Sequence, residues 1–129
     1  MSVVVGYLPT REGDAALTRA ISEASRTGED LVVVNSARIP ADADEPISVE
    51  QVQDAVDARV QAAGLAHTMR QLNDNDDAAS VILEIADQVS ATAIVIGIRR
   101  RSPVGKLILG SSAQRILLGA GCPVIAVKP

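Results

Sequence analysis

The stretch SVVVGYL, residues 2–8, lies at the start of the chain and contains three adjacent valines. A short apolar run without polar alternation is typical of a strand that is buried on both faces, as in a parallel sheet covered by helices. We therefore predict a first strand over residues 2–8 and expect a helix to follow it.

Further apolar runs continue this pattern along the chain. We predict strands over residues 30–36, 65–72, 92–97 and 122–127, of which residues 65–72 alternate least regularly. Between the strands, four segments carry apolar residues at helical spacing. The stripes are Leu17, Ala20, Ile21 and Ala24; Val49, Val52, Val56 and Val60; Ala78, Val81, Ile82, Ile85, Ala86 and Val89; and a fourth within residues 111–120.

Capping residues indicate where these helices begin and end. Gly28, Gly64 and Gly121 stand where helix-terminating glycines belong. The expected N-terminal signals are Asp14 for the first helix, Ser48 with Gln51 and Ser111 with Gln114 as S-x-x-Q capping boxes, and the acidic cluster Asp74, Asp76 and Asp77 for the third helix.

Five strands alternating with four helices favour one fold class. Such alternation predicts an α/β fold, a doubly wound parallel sheet of order 3-2-1-4-5 with helices on both faces, forming a single domain over residues 1–129. In these sheets, ligands bind beyond the carboxyl ends of the strands where the winding reverses. We expect that crevice between the ends of the first and fourth strands.

Charge is distributed unevenly along the chain. The first 87 residues contain all sixteen acidic residues and six basic ones, whereas the last 42 contain six basic residues and no acid. The C-terminal third, with its net charge of +6, therefore indicates a small anionic ligand. An overall acidic chain with Tyr7 as its single aromatic residue does not favour nucleic-acid binding.

Cysteine content and hydropathy indicate the compartment. Cys122 is the single cysteine, so no internal disulfide can form, and no apolar run approaches the roughly 20 residues of a membrane span. We expect a cytoplasmic protein without a membrane partner.

The stretch GIRRRSPVGKLILGSS, residues 97–112, follows the fourth strand and concentrates cations and glycines. Gly97 and Gly110 allow unusual backbone angles or the close approach of a ligand. Gly110, Ser111 and Ser112 begin a helix whose free amide groups suit a phosphate. The alternative is that Ser111 is a plain helix cap and that the arginines are merely solvated.

Two common nucleotide motifs are absent. Gly105 and Lys106 are followed by Leu107, so the P-loop is incomplete, and no G-x-G-x-x-G follows the first strand. An NAD site is therefore not expected.

The strand and helix order, together with Gly97, Gly110, Ser111 and Ser112 followed by AQRILLGAGCPVIAV, resembles the universal stress protein family. In that family the loop pattern is G-x-x-G-x(9)-G-[ST], which binds the phosphates of an adenine nucleotide. The resemblance implies a small-molecule binding or signalling module and at most slow ATP hydrolysis. It implies ATP or AMP as the ligand, Mg²⁺ only if ATP is bound, and a homodimer formed through residues 123–127.

The resemblance also implies where the ligand lies. The residues expected near the phosphates and ribose are Ile96, Gly97, Arg99, Arg100, Gly110, Ser111 and Ser112, and those near the base are Leu8, Pro9 and Val34.

Two positions depart from the family pattern. Arg100 stands in place of the second glycine, and Leu8 in place of an aspartate that holds ribose hydroxyls. Guanidinium groups are good phosphate partners, so the loop can be a variant site. The alternative is a dimeric stress-response protein that binds no nucleotide because Arg100 blocks the crevice.

Overall fold

A computed structural model describes residues 1–36, 49–73, 75–99 and 109–129. Strands and helices alternate through these ranges. In chain order the elements are β1 (Ser2–Tyr7), α1 (Arg11–Thr27), β2 (Asp30–Asn35), α2 (Val49–Ala62), β3 (His67–Gln71), α3 (Ala78–Gln88), β4 (Ala93–Gly97), α4 (Ser111–Gly119) and β5 (Val124–Val127).

The five strands form one parallel sheet of order β3-β2-β1-β4-β5, which confirms the predicted fold. Val5 of β1 is in register with Val33 of β2 on one side and with Val95 of β4 on the other. Because all strands run in the same direction, their carboxyl ends lie at one edge of the sheet.

The core is aliphatic and lies on both faces of the sheet. Val3 and Val5 pack in a cluster with α1 and α2, whereas Val4 packs in a second cluster with α3 and α4. All three valines are fully buried, as the run at residues 2–8 predicted. Tyr7, the single aromatic residue, is also buried.

The start of α1 differs from the prediction. Thr10, not Asp14, is the N-cap, because its backbone is extended and its hydroxyl accepts a hydrogen bond from the Gly13 amide at 3.1 Å. Asp14 lies within the first turn, where its carboxylate accepts from the Tyr7 hydroxyl at 3.2 Å and from Arg59 at 3.3 Å. The helix therefore begins before the position that the apolar stripe suggests.

Other helix ends follow the sequence more closely. Gly28 and Gly64 both have φ near +72°, the left-handed conformation that favours glycine after a helix. Asp77 caps α3 by accepting from the Ser80 amide at 3.1 Å. The predicted caps Ser48 and Asp74 lie outside the described residues.

All five strands are shorter than predicted. β1 and β2 each end one residue early, at Tyr7 and Asn35, and β3 covers five residues instead of eight. β4 and β5 start later by one and two residues. The apolar pattern extends beyond the paired backbone because flanking residues such as Leu72 are buried without belonging to a strand.

The two edges of the sheet differ in chemistry. β3 has the sequence HTMRQ, and its His67 imidazole lies 2.6 Å from the Asp57 carboxylate of α2. β5 has the aliphatic sequence VIAV, and Val124, Ile125 and Val127 are only partly buried. One edge is thus polar and the other apolar.

Helix length bears on membrane insertion. The longest described helix, α1, has 17 residues and several charges. Across the described ranges, no helix is long and apolar enough to span a membrane.

Candidate functional site

A hollow of about 220 Å³ opens at the carboxyl edge of the sheet, between the ends of β1 and β4. This is the crevice that the predicted strand order indicates. Segments distant in sequence meet there: the loop after β1, the first turn of α1, the end of β4 and the first turn of α4. Predicted site residues that line the hollow are Leu8, Ile96, Gly97, Arg99 and Ser112.

The other predicted site residues are placed differently. Pro9 and Ser111 are exposed but do not line the hollow, and the same holds for Gly110. Val34 is fully buried between the sheet and α3, so it has no surface to offer a ligand. Arg100 lies outside the described residues.

Gly97 has a packing role that the sequence does not reveal. A Cβ on this residue would lie 2.2 Å from the Glu12 carbonyl oxygen and 2.9 Å from the Glu12 Cβ, far inside van der Waals contact. Its φ is not positive. The expectation of unusual backbone angles was therefore wrong, and glycine is needed because α1 approaches the end of β4 closely.

Gly13 makes a second close contact. A Cβ there would lie 1.8 Å from the Leu8 carbonyl oxygen. Together, Gly13 and Gly97 let the first turn of α1 pack directly on the ends of β1 and β4. Gly13 was not among the residues predicted for the site; its sequence signal is its position three residues after the N-cap Thr10.

The first turn of α1 places an acidic residue with an exposed carboxyl group at the hollow. Glu12 lines it, and the pKa of its carboxyl is lowered by a hydrogen bond from its own backbone amide, by Thr10, and by the nearby Arg99 and Arg11 guanidinium groups. The carboxylate is therefore ionised at neutral pH. The positive end of the α1 helix dipole is therefore already matched by a negative group of the protein, the Glu12 carboxylate.

The N-terminus of α4 is arranged in the opposite way. Gly110 is its N-cap, with φ of −64° and no side-chain cap, so the predicted capping role of Ser111 was wrong. The Gln114 side chain donates instead to the Leu109 carbonyl at 3.1 Å, because Ser111 already lies inside the helix. The open first turn, with exposed Ser111 and Ser112, is a favourable place for an anion.

The two described arginines near this helix, Arg99 and Arg115, have different surroundings. Arg115 is paired with Asp77 and donates to the Ser80 hydroxyl at 2.7 Å. The Ser80 hydroxyl, Arg115 and the Ser80 amide together lower the pKa of Asp77. Arg99, in contrast, is exposed and lines the hollow. Of the described basic residues, Arg99 is the one placed to meet a ligand.

Several lining residues were not predicted. Ser36, just beyond β2, donates its amide and its hydroxyl to the Tyr7 carbonyl at 3.0 and 3.1 Å. Helices α3 and α4 supply an apolar wall. The residues of the hollow that sequence reasoning did not assign to it are Gly6, Thr10, Glu12, Gly13, Ser36, Ala78, Ile82, Ala113 and Ile116. Their shared signal is a position at a strand end or in the first turns of a helix.

A metal site needs several donor side chains close together. Among the side chains that the structure describes, no group of three His, Cys, Asp or Glu residues is close enough to hold a metal ion.

The chain is similar to known proteins of one family. The sequence model of the universal stress protein family matches residues 1–128. A universal stress protein of Mycolicibacterium smegmatis is 41% identical, covering 98% of this chain and 97% of the relative.

Two solved structures from Archaeoglobus fulgidus are also similar. The first, a universal stress protein, superimposes with a TM-score of 0.77 at 31% identity, covering 99% of this chain and 98% of its own. The second is a universal stress protein in complex with dAMP. It has a TM-score of 0.67 at 23% identity and the same coverage of the two chains.

Proposed function

Because the chain belongs to the universal stress protein family, we propose that it is a binding or signalling module that takes an adenine nucleotide, such as ATP or AMP, into the hollow. One observation carries this proposal: Leu8, Ile96, Gly97, Arg99 and Ser112, from three separate segments, line a single cavity. The relative that binds dAMP supports it with the same fold.

The phosphate end of the ligand belongs beside α4. The open N-terminus at Gly110 offers backbone amides and the positive end of the helix dipole. Ser112 offers a hydroxyl, and Arg99 a guanidinium group, both from the wall of the hollow.

The base end of the ligand belongs against the apolar side. Leu8 is 44% exposed, and it lies on the wall of the hollow with Ile82 and Ile96. Covering these groups with a planar base removes apolar surface from water. Leu8 and its apolar neighbours therefore replace Val34 in the expected base contact.

The size of the hollow limits how much of a nucleotide it encloses. Its 220 Å³ is below the roughly 300–1,000 Å³ of typical small-molecule pockets. We therefore place part of the ligand outside the hollow, at its mouth. Mg²⁺ is expected only with ATP, because the oxygens of the triphosphate are hard ligands that this ion prefers.

Calorimetric titration with ATP, ADP and AMP tests the proposal. Arg99→Gln should weaken binding, whereas Arg26→Gln, which removes an arginine paired with Glu23 at the other end of α1, should not. A co-purified nucleotide would also dominate the ultraviolet spectrum, because the chain has one tyrosine and no tryptophan. A spectrum free of adenine together with no heat of binding would favour the alternative, a dimeric stress-response protein whose crevice Arg100 blocks.

A homodimer through residues 123–127 is part of the same proposal. β5 pairs with β4 on one side only, and its aliphatic side chains are partly exposed. An edge strand of this kind is prone to pair with another strand. A cytoplasmic location remains an expectation that rests on the single cysteine.

A further inference from the structure

Glu12 is the acidic residue in the wall of the hollow, and its position is closely constrained. Its backbone carbonyl lies against Gly97 at the end of β4, and its Cβ contacts the same glycine. The neighbouring Gly13 is held against Leu8 by a similar contact. The carboxylate therefore stands on a turn that is packed on both central strands.

The hydrogen bonds of Glu12 keep its charge in place. The carboxylate accepts from its own amide and interacts with Thr10, whose hydroxyl also accepts from the Gly13 amide. These bonds and the guanidinium groups of Arg99 and Arg11 hold the pKa of Glu12 below its usual value. The lowered pKa keeps the carboxyl ionised at neutral pH, so Glu12 retains its negative charge beside these groups.

Among the described residues that line the hollow, Glu12 is the acidic one and Arg99 is the basic one. Arg99 and the open end of α4 attract a phosphate, whereas the Glu12 carboxylate repels each further negative charge brought into the hollow. Repulsion between charges is stronger near a protein surface than in bulk water. ATP carries more negative charge than AMP, and bound Mg²⁺ cancels part of that excess.

We propose that Glu12 selects ligands by charge, an inference that rests on the proposed nucleotide site. Glu12 disfavours a metal-free triphosphate and accepts a nucleoside monophosphate or a triphosphate whose charge is partly cancelled by Mg²⁺. Glu12 thereby sets a specificity that the family pattern of glycines and serine does not encode.

The test measures AMP and ATP binding by calorimetry at constant ionic strength, each with excess Mg²⁺ and with a chelator. Three proteins are compared: the parent chain, Glu12→Gln, and Asp30→Asn. Asp30 is exposed at the start of β2, the end opposite the hollow, so its variant controls for the loss of one negative charge.

The parent should bind metal-free ATP about tenfold or more weakly than Mg²⁺-ATP, a difference of the size that one nearby like charge produces. Glu12→Gln should reduce this ratio to about threefold or less by strengthening metal-free ATP, with a smaller change for AMP. Asp30→Asn should behave like the parent. Melting temperatures establish that all three proteins are folded.

Three results would overturn the inference. If the ratio of the affinities for Mg²⁺-ATP and metal-free ATP is the same in the parent and in Glu12→Gln, the carboxylate only caps α1. The proposal that the protein binds a nucleotide would then still stand. A Glu12→Gln variant that binds Mg²⁺-ATP more weakly, with no gain for metal-free ATP, would make Glu12 a metal ligand instead. If the parent binds neither AMP nor ATP under any condition, the proposed function fails and the inference falls with it.

Discussion

The carbonyl oxygen of Glu12 occupies the space that a Cβ on Gly97 would need, at 2.2 Å from its ideal position. This contact joins the first turn of α1 to the end of β4, and the hollow lies directly beside it. The residue that the sequence marks as part of a phosphate loop is therefore also a packing residue of the fold.

Gly97→Ala should destabilise the protein, because either α1 or the end of β4 must move to admit the methyl group. Overpacking of this kind costs about 1–3 kcal/mol, and here the obstacle is backbone. Urea unfolding measures the loss. Gly110→Ala is the matched control, since a Cβ there meets no atom of the described residues within 4 Å. A loss at Gly97 no larger than at Gly110 would contradict the contact.

Gly110→Val should weaken nucleotide binding more than it weakens the fold. No atom of the described ranges lies within 4 Å of a Cβ built on Gly110, and its φ of −64° is ordinary. The fold should therefore lose only about 1 kcal/mol from the poorer N-cap. The valine side chain would stand where phosphate approaches the α4 amides, and affinity should fall about tenfold or more. Gly121→Val, just beyond the other end of α4, also meets open space and should leave affinity unchanged. Equal affinity of the parent and Gly110→Val would place the phosphate elsewhere.

Tyr7 should titrate above its ordinary pKa of 10.0, because burial and the neighbouring Asp14 carboxylate both disfavour the phenolate. The raised pKa means that the unfolded chain loses this proton more readily than the folded one. The contribution of Tyr7 to stability is thus complete below pH 10.0 and decreases as the pH rises through the folded pKa.

The phenolate absorbance measures this titration without interference, since Tyr7 is the single tyrosine and tryptophan is absent. Asp14→Asn should move the pKa of Tyr7 downwards, because it removes the nearby negative charge. Tyr7→Phe should remove the part of the alkaline loss of stability that this group causes. A Tyr7 pKa at or below the ordinary value would refute the buried position of the ring.

Ala126→Pro should convert the proposed dimer to a monomer without unfolding it. The amides of Ile94 and Ile98 donate to the carbonyls of Pro123 and Val127. The odd-numbered residues of β5 therefore direct their backbone N–H and C=O groups towards β4. The exposed Ala126 therefore directs its backbone N–H to the open edge, where proline removes a donor that β4 does not use. Light scattering after size exclusion measures the mass. Ala126→Thr is the control and should stay dimeric; a dimeric Ala126→Pro would move the interface away from this edge.

The sheet order could be predicted because buried strands and helical stripes are local patterns, as Val3, Val4 and Val5 show. The site could be predicted only in part. Its place follows from topology, but the contact of Gly97 with Glu12 joins residues far apart in sequence and has no local signal. The choice of Thr10 over Asp14 as N-cap likewise depends on how tightly α1 packs on β1.

The unlike borders of the sheet limit self-association. If β5 pairs with β5 of a second copy about a two-fold axis, the apolar sheet edge of each copy is covered by its partner. The remaining border is β3, whose polar sequence and His67–Asp57 pair are poorly matched to an aliphatic strand. In the proposed dimer, head-to-tail growth into filaments would thus be disfavoured, and assembly would stop at two copies.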